Sequence, residues 1–460
     1  MSCTGGVGLA RKQRVFAKVE ATIGTMVYPS GTLDAIRPVG NAVINQNPAF
    51  VDTEELQDTL DVLDQFQSAT PAGSWSLSMY LRPSGLVAVA DTALPQGSVL
   101  FQSLQGLKNA ATTMTASAIA SATKSTVHIG KIAGGDVPEK GVVIIGTEKI
   151  HYTGITRASL DATVATLTGC VRGYGSTTAT SHSAGTLSIC SIFYKQNTCS
   201  PTFSLWVETD HFVQGLSGCT IDNAVFDITN EGAVKVTMDG KGMKMVWAGT
   251  SAAAAAATKT ALNITVDDAK LYKAGAYIKV GTVATISKIS AVNTTTNVLT
   301  LVAGIGHATA SGDAIVGYLP PVTEIGDPIE SKDTTVQING VAAKLKAGSV
   351  SFATPHQYLE DEIGTDYPED FLEDKRQITS TLSLYFKKAD AKYFTDGFDG
   401  EEVPVLITFG DTAGSIVDIY MKRCKLTVPS VNFASPAVEL SIPIKALGTV
   451  GEDSAEIIFR

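Results

Sequence analysis

Apolar and polar residues alternate with a period of two along much of the chain. Trp75, Leu77, Met79 and Leu81 are separated by Ser76, Ser78 and Tyr80, as on a half-buried strand. The same alternation predicts strands over Phe203–Val207, Val234–Met238, Leu382–Phe386, Val403–Phe409, Ile416–Met421 and Val438–Ile444. Clusters of Gly, Asn, Asp, Ser and Pro between them read as turns. Helical spacing is scarce. It predicts one helix over Ser98 to Asn109, with Ser98 as N-cap and Leu100, Phe101, Leu104 and Leu107 on one face. A shorter one is expected over Ala389 to Phe394. The expectation is an all-β chain with a minor α part.

The strands recur. Trp75-Ser-Leu-Ser-Met-Tyr-Leu-Arg aligns with Ser380-Thr-Leu-Ser-Leu-Tyr-Phe-Lys at an offset of 305 (385 − 80), and a candidate helix follows each. Gly218-Cys-Thr-Ile matches Arg423-Cys-Lys-Leu, and Ala233-Val-Lys-Val-Thr-Met matches Ala437-Val-Glu-Leu-Ser-Ile at an offset of 204 (438 − 234). The offset falls by 101 (305 − 204), so the first copy carries about that much extra chain. Two Ser/Thr/Ala/Gly-rich stretches, about 111–192 and 251–319, supply the additional modules and resemble each other, with Gly-Thr marks at Gly146 and Gly281.

Composition narrows the functions. At 460 residues the chain is long enough for several cores, and 44% hydrophobic residues exclude a disordered chain. The run Ala252–Ala257 is far short of the roughly 20 residues of a membrane helix, and no secretory pattern opens the sequence. A soluble protein made in the cytoplasm is expected. The balance of 35 basic and 45 acidic residues gives a net charge of −10, which argues against a phosphate-gripping face. The cysteines (Cys3, Cys170, Cys190, Cys199, Cys219, Cys424) form no Cys-x-x-Cys pair and read as buried free thiols.

No catalytic constellation is present. The six histidines lack metal-ligand spacing, and neither phosphate-binding glycine loops nor a Gly-x-Ser-x-Gly nucleophile occurs. Cys170–Gly175 reads as a turn between strands. Two acidic runs stand out: Asp52, Glu54, Glu55, Asp58, Asp61 and Asp64, then Glu360, Asp361, Glu362, Asp366, Glu369, Asp370, Glu373 and Asp374. Neither has the order of a calcium loop. They read first as solvated loops that order only on meeting a neighbouring subunit or ring, second as a metal site, and a distant third as acid–base groups. No cofactor or metal is expected.

Ala17-Lys-Val-Glu-Ala-Thr-Ile-Gly-Thr with Pro29 soon after, and the order of the Trp75, Cys219 and Ala233 strands, resemble the tail tube (major tail) proteins of long-tailed bacteriophages. The resemblance implies a duplicated tail-tube β-sandwich or barrel domain with a flanking helix, plus two small inserted β domains. The expected limits are an arm at 1–16, the first tube domain at 17–110 and 193–250, inserts at 111–192 and 251–319, and the second tube domain at 320–460. It implies rings stacked into a hollow conduit for DNA, in the virion tail, assembled in the host bacterial cytoplasm. Partners would be other copies of the chain and the tape-measure, terminator and distal tail proteins, with no membrane. A doubled domain would let three chains form a pseudo-sixfold ring in place of a hexamer. DNA would pass without specific binding, over a wall carrying Ser, Thr and acidic residues. Ser76, Ser78, Thr381 and Ser383 are the candidate lumenal positions, and Asp52, Glu54, Glu55, Asp58, Glu360, Asp361, Glu362, Asp366, Glu369 and Asp370 the candidate inter-subunit positions. The alternative is a β-rich adhesin or carbohydrate-binding protein, which would need aromatic platforms from Trp75, Trp206 or Trp247.

Overall fold

A computed structural model describes residues 12–459 apart from 32, 56–60, 63, 85–93, 116–118, 120–122, 131–140, 146–147, 158–163, 174–177, 185–186, 211, 283–284, 323–325, 340, 413, 434–436 and 449–450. The chain is all-β, with several antiparallel sheets and, among the described residues, two short α-helices. None of the described helices is long and apolar enough to cross a membrane.

The first half contains β1 (Arg14–Val19), β2 (Val43–Asn45), β3 (Phe50–Asp52), β4 (Gln65–Gln67), β5 (Gly73–Tyr80), α1 (Ser98–Gln105), β6 (Gly106–Thr115) and β7 (Leu187–Gln196). It continues with β8 (Phe203–Thr209), β9 (Phe212–Cys219), β10 (Asn223–Ile228), β11 (Lys235–Gly242) and β12 (Lys244–Ala248). One layer runs β1-β8-β9-β12 and the other β2-β5-β11-β10. Their facing sides, including Val15, Ala17, Trp75, Leu77, Phe203, Leu205, Val236 and Met238, close one core. Alternation on β5 is what the sequence required: Trp75, Leu77 and Met79 are buried while Ser76 is exposed.

The second half has β13 (Thr335–Ile338), β14 (Leu345–Ala353), β15 (His356–Tyr358), β16 (Phe371–Glu373), β17 (Gln377–Tyr385) and α2 (Lys392–Asp399). β18 (Glu402–Phe409), β19 (Val417–Leu426), β20 (Ser430–Asn432), β21 (Glu439–Ala446) and β22 (Glu456–Phe459) complete it. Its layers are β13-β18-β19-β22 and β14-β17-β21-β20.

The sequence repeat reappears as strand register. Tyr80 lies opposite Lys235, and Tyr385 opposite Glu439, so offsets of 305 (385 − 80) and 204 (439 − 235) meet on one rung. Phe203 faces Cys219 and Val403 faces Cys424, each followed by a register shift within two residues. Cys219 Sγ donates to the carbonyl of Leu216 at 3.2 Å, and Cys424 Sγ to that of Met421 at 3.8 Å, three residues back in both.

Helix α1 begins differently from expectation. Gly97, at φ 73, occupies the cap, and the Ser98 hydroxyl instead accepts from Tyr194 at 2.7 Å. The helix stops at Gln105 because Gly106 turns into the left-handed region at φ 94, where a Cβ would meet Asn197 Cβ at 2.8 Å. Leu107 therefore leaves the helix for β6 and is exposed. In the second half a 3₁₀ turn, Lys388–Ala391, precedes α2, so the helix lies later than predicted.

Residues 250–317 build a six-stranded sheet whose core includes Ile278, Ile289 and Leu299. That core continues into Phe16, Trp206 and Val213, which project from the first layer away from the main core. Strand β8 is thus buried on both sides, which removes the alternation of burial a half-buried strand would show. A separate cluster, with Val127, Ile129, Ile150, Tyr152 and Leu167, is carried on the β6–β7 pair. Positions 111 and 192 lie inside those strands, and β7 also pairs with β22 of the second half.

Candidate functional site

The two halves join edge to edge. Strand β10 pairs with β14 from Asn223↔Ala353 through Val225↔Ser351 and Phe226↔Val350 to Ile228↔Gly348. The result is one continuous sheet of eight strands, β2-β5-β11-β10-β14-β17-β21-β20. Side chains lock the joint. Ser351 donates to Asn223 Oδ1 at 3.1 Å, Thr354 to the Ile221 carbonyl at 2.6 Å and Tyr358 to the Gly218 carbonyl at 2.6 Å. The His356 amide donates to Asp222 Oδ1 at 3.1 Å. Burial raises the Tyr358 phenol well above its ordinary pKa, so it remains a donor. Phe226 packs against Phe352 and Phe409 of the second half at ring distances of 5.6 and 6.4 Å.

The second acidic run makes up the loop of the β15–β16 hairpin of that joint and lies against the first half. Glu360 Oε1 accepts from the Ala72 amide at 2.8 Å, and the Asp366 carbonyl from the Thr70 amide at 2.9 Å. Next to Asp366, Tyr367 receives a hydrogen bond from Lys273 at 2.7 Å, and Lys244 stands 5.0 Å from its ring. Glu373 accepts from the Ser200 amide at 2.6 Å and from Arg376 at 2.7 Å. Asp361, Glu362 and Glu369 stay exposed, and Asp370 caps the amide of Phe371. The first acidic run occupies the corresponding β3–β4 hairpin, both strands of which are exposed. There Asp52 accepts from Gln65 at 2.6 Å, Glu54 and Glu55 are solvent-facing or nearly so, and Asp58 lies outside the described residues.

Register also gathers the candidate lumenal residues. Ser76 and Ser78 point away from the core on β5, and the rung Tyr80–Lys235–Asp227–Ser349–Thr381 carries that face across to Thr381, with Ser383 two residues on. Ser78 bonds Thr237 at 3.0 Å. Among the described residues the charged positions on this face are Lys235, Lys241, Lys346, Lys425 and Lys445 against Asp227, Asp239 and Glu439, a sum of +2 (5 − 3). The face is Ser/Thr-rich and close to neutral. The expected acidic character is absent from it, because the net charge of −10 resides elsewhere, much of it in the two hairpin loops.

Of the buried carboxylates that escaped the sequence reading, Glu20 and Glu148 each collect four or more hydrogen bonds. Glu20, within the Ala17–Thr25 stretch, accepts from the amides of Gly24 and Gly218 and from the hydroxyls of Thr202 and Ser204. Burial nonetheless raises its pKa. Glu148, fully buried, is gripped by Arg172 through two 2.6 Å bonds and touches His182 at 2.7 Å and the amides of Gly173 and Thr180 at 3.0 Å. Burial alone would raise its pKa, but these donors outweigh it and hold it at about 2. Cys170–Gly175 is therefore more than a turn: its Arg172 supplies the countercharge of the module.

Other chemistry finds no support among the described residues. No group of three or more His, Cys, Asp and Glu is placed to hold a metal ion. Trp75 and Trp206 are buried in cores and Trp247 lies under Lys273 at 4.7 Å, so none forms an open aromatic platform. Cys170, Cys219 and Cys424 are buried free thiols, but Cys199 is exposed, on the turn between β7 and β8 where no layer covers it. Compared with known protein families and with curated proteins, the chain matches none.

Proposed function

We propose that the chain is the repeating subunit of a phage tail tube, a structural protein whose rings stack into a conduit for DNA. The observation that carries this reading is the joint itself. Two halves with the same register are already fused side by side into one eight-stranded sheet, which ends in strands of the same two kinds. Such a unit repeats naturally into a ring, which also relieves the exposed edges that otherwise invite disordered association.

Geometry favours three chains. For strands along the axis, 3 × 8 strands at about 4.8 Å give a circumference of about 115 Å and a diameter of about 37 Å. Removing a side-chain layer of about 5 Å from each wall leaves about 27 Å, wider than the roughly 20 Å duplex. Six chains would leave about 63 Å, much more than one duplex fills. The doubled domain thus acts as two wedges of a pseudo-sixfold ring. With the polar face inward, Ser76, Ser78, Thr381 and Ser383 line the bore, where scattered charges of both signs give DNA no continuous basic track. The sheet of residues 250–317, packed behind β1 and β8, then stands on the outer wall. Assembly with tape-measure, terminator and distal tail proteins in the bacterial cytoplasm belongs to the same reading.

Electron microscopy of the purified protein tests it. Rings or tubes with three chains per ring are expected. Monomers at every concentration would overturn the function, and six chains per ring would overturn the stoichiometry.

A further inference from the structure

The strand that makes the internal joint has a counterpart at the far end of the sheet. Val225 faces Thr237 on β11, and Ser430 faces Ser441 on β21, so β20 stands where β10 stands, shifted by 205 (430 − 225). Likewise Ile44 faces Trp75 and Val350 faces Ser380, which makes β2 the counterpart of β14 at a shift of 306 (350 − 44). The hairpins agree: Phe50 faces Gln67 and His356 faces Glu373, again at 306 (356 − 50).

Counterparts differ in what covers them. Ile228 is 4% exposed beside β14, whereas Phe433, its equivalent beyond β20, is 74% exposed. His356 is 5% exposed against the first half, whereas Phe50 is 56% exposed. Val43 on β2 and Val428 just before β20 are exposed too. No further strand pairs with the outer side of β2 or β20 among the described residues.

We infer that a second copy of this chain seats on β20 by repeating the internal joint, with its β2 in the register Ser430↔Asn45 and Val431↔Ile44 and its β3–β4 hairpin over Lys425 and Lys445. This rests on the self-assembly reading above and specifies the surface that reading requires. The register follows from the internal one: Val225↔Ser351 becomes Ser430↔Asn45, and Phe226↔Val350 becomes Val431↔Ile44. Charge supports the hairpin's place. Lys425 and Lys445 are direct cross-strand neighbours, both exposed, and like charges so placed repel. In the internal joint Tyr358 meets Thr220 at 3.0 Å, and Lys241 donates to the carbonyl of His356 at 3.5 Å. The counterparts of Thr220 and Lys241 are Lys425 and Lys445, and the counterpart of Tyr358 is Asp52. The acidic hairpin thus brings a carboxylate to the lysine pair, where the internal joint has a neutral phenol against a threonine.

Cysteine pairs test the register in the full-length chain carrying Cys199→Ser. Directly opposed residues in antiparallel strands lie about 4.5–5.5 Å apart between Cα atoms, within disulfide reach. Diagonal neighbours lie about 7–8 Å apart, outside it. Asn45→Cys with Ser430→Cys should give disulfide-linked dimers and closed trimers on oxidation, at least fivefold above Val43→Cys with Ser430→Cys. Rings seen by electron microscopy without the 45–430 bridge, or with more of the 43–430 bridge, would overturn the register and leave the tube function standing. Neither rings nor bridges would overturn both. Separately, Lys425→Glu with Lys445→Glu should abolish rings, and adding Asp52→Lys should restore them. Failure of that restoration would overturn the placement of the hairpin.

Discussion

Replacing Arg172 by Met keeps an aliphatic stem and removes the countercharge of Glu148. In the intact protein the Glu148 carboxyl is fully buried and held at about 2, against an ordinary 4.5. A pKa lowered by that much contributes about 3 kcal/mol of stability, present above pH 4.5 and lost as pH falls toward 2. Without the guanidinium, whose two 2.6 Å bonds are the strongest donors, the carboxylate stays buried with His182 and two amides. Removing one partner of a buried pair costs about 3–5 kcal/mol. At neutral pH the variant should lose that much in the module around Val127, Ile129, Ile150 and Leu167, a core separate from the rest. Burial then dominates, the carboxyl titrates above its native value, and acidification toward pH 4 neutralises it. The gap between variant and native protein should therefore narrow as pH falls. Hydrogen exchange read on peptides from those strands measures the module alone, where a global melt would average over several cores. A gap below about 1 kcal/mol at pH 7, or one that is unchanged at pH 4, would refute the assignment of Arg172 as the charge that holds Glu148.

Excising residues 112–190 while keeping the Lys108↔Tyr194 base should leave ring formation intact by electron microscopy, because the removed core packs on itself. Excising 251–317 should instead produce aggregation in size-exclusion chromatography, since it uncovers Phe16, Trp206 and Val213. In the native protein Cys199 should react with a thiol reagent well before Cys170, Cys219 and Cys424. Those three are buried, and burial pushes Cys170 up to about 11 and Cys424 up to about 12. Assembled tubes should retain no duplex DNA at physiological salt in a co-sedimentation assay, given the near-neutral face. Retention with a steep salt dependence would contradict that.

Strand identity was legible because most strands are buried on one side only. Trp75, Leu77 and Met79 announce β5 by alternation, and Phe203, Leu205 and Val207 announce β8 in the same way, but Trp206, out of phase, is buried against residues 250–317 on the other side of that strand. The helix start was misread for a local reason: Ser98 has the chemistry of a cap, but its hydroxyl is claimed by Tyr194, and the adjacent Gly97 supplies the positive φ. The repeat was legible down to register, since cross-strand pairing requires the same residues to sit opposite one another in both halves. What the sequence could not reveal is which edge meets which. The β10–β14 pairing joins strands about 120 residues apart, through no motif, by edges of mixed composition. The acidic runs illustrate the same limit. Their composition is alike, yet one is anchored through Glu360, Asp366 and Tyr367 and the other stands exposed. The difference lies in the neighbour: the second run has the first half beneath it, and among the described residues of a single chain nothing comparable covers the first. A pattern that is satisfied at one end of a repeated unit and open at the other is the form a self-complementary head-to-tail interface takes, and it closes only when a further copy supplies the missing half.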